Sequence, residues 1–303
     1  MAVTWLWGAF VAIMGVMLVL DLGVFQKKAR VMSIRQAAVM VAVWWTLAAA
    51  FALAVYFVYG HEKAFQFVSA YILEQSLSVD NLFVFILVFS FFNIAPDNQP
   101  RILHWGILGA IAMRFVFIFA GLSLLQASHL MFYVFGAILV FTGGKMMVSG
   151  DEEMEPGKNP ALRLLHKFLP VTESAHGHRF FTRLDGVLHA TPLFAALVVI
   201  EATDLIFAVD SIPAALGVSS DLFVVYTSNI FAVMGLRSTY FLLAGSMTEF
   251  RFLKAGVSAV LVFVGVKMIV QDFYRITTGT SLAVIGGTLL LAVGASLLLR
   301  EKA

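Results

Sequence analysis

The chain has 303 residues, 61% hydrophobic and 13% charged, with a net charge of +2 and a mean hydropathy of +0.93. That composition excludes a soluble domain and describes a polytopic helical membrane protein. The near-neutral charge argues against nucleic acid as a partner, and the absence of cysteine excludes disulfides, iron–sulfur clusters and thiolate metal sites.

The apolar run from Trp5 to Phe25 has no basic residue before it and no small-residue cleavage site, and Lys27, Lys28 and Arg30 follow it. It is expected to be a retained first span, not a cleaved leader. Further helices are predicted near 36–59, 64–92, 101–126, 129–149, 192–216, 221–245, 251–272 and 278–299, which makes an all-α membrane protein of about nine transmembrane helices. Connections are short except for 150–191, a polar stretch with Asp151-Glu152-Glu153, Pro156-Gly157 and Pro170. The organisation expected is two N-terminal spans (1–62), a first three-helix unit (63–149), a cytoplasmic loop (150–191), a second three-helix unit (192–274) and a last span (275–303).

Basic residues set the orientation through the positive-inside rule. Fourteen of them, from Lys27 through Arg101, the 158–183 group and Arg251 to Lys302, fall in connections on one side; the other side has Lys63 and Arg275. The amino terminus is therefore expected outside and the carboxyl terminus in the cytoplasm, with the chain in the inner (cytoplasmic) membrane.

Predicted helices three to five and six to eight read as two copies of one unit. Leu139-Val-Phe-Thr-Gly-Gly-Lys145 matches Leu261-Val-Phe-Val-Gly-Val-Lys267, and Arg114 to Gly121 resembles Arg237 to Gly245. Val79-Asp80-Asn81 aligns with Val209-Asp210-Ser211, which also pairs Glu74 with Asp204. An odd number of helices per copy places the copies in opposite orientations, the inverted-repeat architecture of many secondary transporters, whose sites form near the midplane.

Each copy carries an acidic phrase inside an apolar segment: Glu74-Gln-Ser-Leu-Ser78-Val-Asp80-Asn81, and Glu201-Ala-Thr-Asp204-Leu-Ile-Phe-Ala-Val-Asp210-Ser211. Insertion scales put a charge at a helix centre at about 2.5–3.5 kcal/mol, so five unpartnered carboxylates would cost roughly 12–18 kcal/mol. A bound cation is the simplest offset. Glu201 and Asp204 are spaced i, i+3 and share a face; Asp210 falls on the opposite side of an ideal helix. Pro213 removes the amide that would bond the Val209 carbonyl, so the sixth predicted helix is expected to be kinked or unwound near Asp210.

The metal ligands expected are Glu74, Asp80, Glu201, Asp204 and Asp210, with Ser78, Asn81 and Ser211 as additional shell. Oxygen ligands of this kind suit hard cations such as Mn²⁺, Mg²⁺ and Ca²⁺. Arg114 and Arg237 could gate the site, but ion pairs with the repeat carboxylates are the preferred reading. Asp21 reads as an end-of-helix residue, Lys145 and Lys267 as snorkelling groups, and His166, His176 and His178 as members of a solvated loop. Trp5, Trp7, Trp44, Trp45 and the tyrosines are taken as lipid-facing or belt residues.

The phrases Glu74-x5-Asp80-Asn81-Leu-Phe-Val-Phe and Glu201-x2-Asp204-x2-Phe207-Ala-Val-Asp210-Ser-Ile-Pro213-Ala resemble the signature of the TerC family, and of its Alx branch of inner-membrane proteins, along essentially the full length. The family's name comes from tellurite resistance. The resemblance implies manganese efflux in the broad group of LysE-type exporters, and implies that the five acidic positions carry the metal. The function expected is a secondary transporter exporting Mn²⁺, with protons as a candidate coupling ion because clustered carboxylates can take up protons when metal leaves. The rival is a non-transporting assembly or stress-response protein that recruits partners through 150–191; a Ca²⁺, Mg²⁺ or proton transporter is a third reading. No resident cofactor is expected, and no nucleophile–base pair or phosphate loop points to an enzyme.

Overall fold

A computed structural model describes residues 2–25, 32–148, 156–172, 177–184, 186–244, 252–274 and 276–298. The side chains of residues 2–3, 20–25, 80, 83, 158 and 297 lie outside the described set. Ten α-helices follow in order: α1 (Ala2–Phe25), α2 (Ile34–Tyr59), α3 (His61–Phe91), α4 (Gln99–Ala127), α5 (Leu130–Val148), α6 (Pro160–Phe168), α7 (Pro192–Val218), α8 (Leu222–Leu243), α9 (Leu253–Val270) and α10 (Thr278–Leu298).

Each of the nine predicted segments is largely helical over its described residues, and local chemistry fixes several ends. Ser33 and Gln36 form a reciprocal capping box at α2, and the Asp221 carboxylate accepts the Phe223 amide at the start of α8 (3.0 Å). Seven helices among the described residues are long and apolar enough to cross a membrane: α2, α3, α4, α5, α7, α9 and α10. The described apolar stretch of α1, Thr4–Val19, is shorter, and α8 is not among the seven. The reason for α8 is packing. It sits against α2, α3 and α4 and buries nearly every residue from Phe223 to Ser238, including Thr227, Ser228, Asn229 and Arg237. A helix wrapped in protein has no need of an apolar outer stripe.

Helix packing crosses between the two predicted units. The first helix of one lies on the second of the other (α3 on α8, α4 on α7), and α5 and α9 form the most extensive pair. Glycine permits that last contact. A Cβ at Gly136 would lie 2.8 Å from the carbonyl oxygen of Gly265, and one at Gly143 would lie 2.8 Å from that of Ser258. Backbones meet there with no room for side chains.

Three expectations need correction. First, α7 is not unwound at Asp210: it is helical from Pro192 to Val218, with Pro213 inside it. A mid-helix proline is tolerated here because its neighbours on every side are packed, from Ser211 to Leu216. Pro213 still leaves the Val209 carbonyl without its i+4 amide, but the helix continues through Asp210. Second, Trp44 is buried at 3% exposure, against Gly235 of α8, whereas Trp5 and Trp45 are exposed at 78% and 57%. The tryptophan type could not separate these positions; the neighbouring helix did.

Third, the described residues of the polar connection, 156–172, 177–184 and 186–191, are folded rather than a solvated loop. A 3₁₀ turn (Pro156–Lys158) leads into α6, where the Asn159 side chain accepts the Ala161 amide at 2.9 Å and Leu162 and Leu165 are buried. A two-stranded antiparallel hairpin follows, β1 (Phe181–Leu184) with β2 (Val187–Ala190), turning through Gly186 at φ 82°. It docks on the membrane helices: His178 Nδ1 meets Asn98 Oδ1 at 2.5 Å, and the Arg101 guanidinium lies 5.3 Å above the Phe180 ring. His166 is exposed on α6, and His176 lies outside the described residues.

Candidate cation site

The polar core lies where α3, α4, α7 and α8 meet. Arg114 of α4 is at its centre, 1% exposed. Its Nη1 donates to Glu74 Oε1 of α3 and to Asn229 Oδ1 of α8 at 2.7 Å. Its Nη2 reaches Asp204 Oδ1 of α7 at a longer 3.4 Å. Asn229 Nδ2 closes the ring on Glu74 Oε2 at 2.9 Å, and Asn81 Nδ2 donates to Asp204 Oδ1 at 3.2 Å. Glu74 is thus held on both oxygens, while Asp204 is held on one and only loosely.

What remains unsatisfied is as informative. Asp204 Oδ2, Asn81 Oδ1, Ser78 Oγ and Ser211 Oγ are buried side-chain oxygens without a hydrogen-bond partner, and Arg114 Nε is a buried donor without one. Of these residues Asn81, Arg114 and Ser211 line a cavity of about 80 Å³ together with Glu74, Thr142 and Asp210, while Asp204 and Ser78 do not. A space of roughly 10–15 Å³ admits one water, so this one has room for a partly hydrated cation.

The predicted residues divide into groups. Glu74, Asp204 and Arg114 converge, with Asn81 bound to Asp204. Asp210 and Ser211 line the same cavity. Glu201 is elsewhere: one helical turn before Asp204, it shares with it a second cavity of about 10 Å³, walled by Phe85, Leu103, Ile107 and Leu236. Glu201 and Asp210 thus face different cavities, as the nine-residue spacing on an ideal helix requires. Asp80 falls within α3, but its side chain is outside the described residues, as is that of Asp21 in α1. Arg237 is buried in α8 at 4% exposure and is not one of the residues lining either cavity. Among the described residues no three acidic or histidine side chains gather at one point.

Two participants escaped the sequence reading. Asn229 is a lone amide in α8 with no acidic neighbour to mark it, and Thr142 stands where the second copy has Val264. Gly109 is a third. A Cβ built there would lie 2.6 Å from Glu201 Oε2 and nearer still to Oε1, so the carboxylate occupies the place of a side chain. Mismatch between the copies was the available signal for Thr142; none existed for Asn229.

Away from this core, the charged contacts are peripheral. Lys63 at the start of α3 pairs with Asp221 at 2.9 Å, and the Asp272 carboxylate accepts the Tyr133 hydroxyl at 2.6 Å and lies 2.7 Å from His129 Nε2.

Residues 59–303 match the model of the integral membrane protein TerC family. The chain is 46% identical over 293 residues to an uncharacterized membrane protein of Myxococcus xanthus, covering 97% of this chain and 92% of the relative. It is 43% identical over 293 residues to a Salmonella typhi protein named as a proposed "membrane-bound redox modulator Alx", covering 94% and 91%. The protein of the same name in Escherichia coli K12 is 41% identical over 295 residues, covering 94% and 92%. No solved structure matches the chain. With both acidic phrases inside the matched region and relatives aligned over nearly their whole length, this chain belongs to the TerC family of integral membrane proteins.

Proposed function

We propose that the protein is a secondary transporter that exports Mn²⁺ across the cytoplasmic membrane, with protons moving in return. The observation that supports this reading is the set of orphaned oxygens. An unsatisfied buried polar group costs about 1–3 kcal/mol, so Asp204 Oδ2, Asn81 Oδ1, Ser78 Oγ and Ser211 Oγ together cost roughly 4–12 kcal/mol. A hard cation is what carboxylate, amide and hydroxyl oxygens hold in common.

In this reading Asp210, Asn81 and Ser211 line the larger cavity, Asp204 lines the smaller one and is joined to the larger through its bond from Asn81, and Ser78 is a further oxygen on α3. Glu74 contributes through Arg114, which it anchors. Glu201 adds negative potential along the route, and Asp80 is included on the family resemblance alone. The choice of Mn²⁺ over Mg²⁺ or Ca²⁺ comes from the family resemblance, not from the oxygens, which suit all three.

Alternating access would come from two inverted three-helix units rocking about the site in a nine-span protein with its amino terminus outside. The glycine contacts of α5 and α9 favour this. The register that aligns Leu139 with Leu261 also aligns Gly136 with Ser258 and Gly143 with Gly265. Exchanging each residue for its counterpart turns the contact Gly136–Gly265 into Ser258–Gly143, the other close contact. A two-fold axis between antiparallel copies has that consequence.

The test is Mn²⁺ flux in proteoliposomes with an imposed pH gradient. Gradient-driven flux, abolished by Asp204→Asn or Asp210→Asn, is the expected result. Flux indifferent to the gradient would remove proton coupling, and either variant at the native rate would remove the site.

A second reading, a non-transporting assembly or stress-response protein, draws on the folded residues of the 156–191 segment and on the relatives' name. It requires that deleting 156–191 abolishes function while Asp204→Asn does not. A redox effect would have to act without thiols, since these 303 residues include no cysteine.

A further inference from the structure

We infer that Gly109 is a positioning residue for cation transfer: the space left by its missing side chain holds the Glu201 carboxylate at the small cavity that it shares with Asp204. The inference rests on the transport reading above and adds to it a residue and a step.

The geometry begins with the crossing of α4 and α7. At Gly106 a Cβ would make ordinary contact, 3.5 Å from Ile200 Cγ2 and 3.9 Å from Leu197 Cδ1, so alanine would fit there. One turn on, at Gly109, the nearest atoms are all from one carboxylate, with Cδ of Glu201 at 2.5 Å and Oε2 at 2.6 Å from the built Cβ. A methyl group and that carboxylate exclude each other. The carboxylate is the far end of a flexible side chain, so a methyl at 109 would displace it and leave the helix crossing intact.

Packing alone does not account for a carboxylate here. Among the described residues Glu201 has no hydrogen bond and no ion pair, in contrast to Glu74 and Asp204 with Arg114. A leucine would fill an apolar crossing at lower cost than a charged group left without a partner at membrane depth. Of the groups lining the small cavity, only Glu201 and Asp204 are charged; the rest is apolar wall. In the transport reading a cation entering from the Pro192 end of α7 would reach Glu201 one turn before Asp204, once motion of the helices widens this space. A carboxylate in apolar surroundings focuses a cation by charge, which acts on capture more than on turnover.

Gly109→Ala should raise the Mn²⁺ concentration for half-maximal flux roughly 3–10-fold, with maximal flux changed less, and Glu201→Gln should do the same. The discriminating set is a cycle of four proteins: wild type, Gly109→Ala, Glu201→Asp, and the two changes together. Aspartate is about 1.5 Å shorter, which makes room for the methyl, so the pair should recover much of the loss seen in either single change. Wild-type half-saturation in Gly109→Ala, or losses that multiply in the double variant, would overturn the inference. If the wild-type protein carries no Mn²⁺, the transport reading fails by itself, and the contact is then read from thermal unfolding of the same four proteins. Non-additive Tm shifts are expected from residues that exclude each other; additive shifts would refute the contact.

Discussion

The two acidic phrases occupy matching positions in the chain, yet their carboxylates live differently. In α3, Glu74 is bound on both oxygens, by Arg114 and by Asn229. In α7, three acids fan along one continuous helix: Asp204 shares the guanidinium at 3.4 Å and keeps a free oxygen, while Glu201 and Asp210 have no ion pair among the described residues. The same residue types serve as a lock in one helix and as buried or half-buried charge with fewer partners in the other. What decides is the fourth partner. Arg114 reaches both helices, but Asn229 is positioned to reinforce its bond to Glu74 alone.

The largest expected effect breaks the lock. Arg114→Ala leaves Glu74 and part of Asp204 as uncompensated buried charge, and should cost about 3–5 kcal/mol of stability, measured by thermal or denaturant unfolding in nanodiscs. Glu74→Gln keeps the shape and the Asn229 contact, so it should cost less than Arg114→Ala while weakening retention of the arginine. Equal and small losses for both would show that the cluster is not an ion-paired lock.

Next comes the contact that joins the two units. Gly265→Val places a branched side chain where even a Cβ would lie 2.6 Å from the Gly136 carbonyl. Separation of α5 from α9 should lower the Tm and reduce flux together, an overpacking cost of about 1–3 kcal/mol or more. Gly144→Val, with nothing within 4 Å of its Cβ, should leave the Tm within error.

Asp204→Asn should separate the two roles further: it removes the charge but keeps an acceptor for Asn81 and Arg114. Unfolding should shift by about 1–2 kcal/mol, because only hydrogen bonds to a charged group are exchanged for neutral ones, while Mn²⁺ flux is lost. A stability loss as large as that of Arg114→Ala would place Asp204 in the lock instead. The smallest effect belongs to the periphery, where His129→Gln loosens a half-exposed pair with Asp272 and should change stability by about 0–1 kcal/mol.

Much of this was legible in the residues. Apolar length gave the helices, and the i, i+3 spacing of Glu201 and Asp204 and the opposite-face position of Asp210 were plain, but the unwinding expected to bring Asp210 round to them does not occur, and Glu201 and Asp210 face different cavities. The duplicated arginine pointed to an ion pair with the repeat carboxylates, and Arg114 makes it. Three features were not legible, for physical reasons. Pro213 signals a break only when nothing supports the helix around it, and packing from neighbouring helices is invisible in a single segment. The hairpin was hidden by the polarity of its surroundings, although Asp185-Gly186 is a strong turn pair. Asn229 and Gly109 owe their roles to residues more than ninety positions away, and no local pattern encodes such a meeting.

The most direct measurement is Mn²⁺ binding to the purified protein, followed by the loss of the free-ion paramagnetic resonance signal during titration. A saturable site that survives His129→Gln and disappears in Asp204→Asn is the expected result. Binding of equal strength in both variants, or none in the wild type, would mean that the unpartnered oxygens beside Arg114 do not hold a divalent cation.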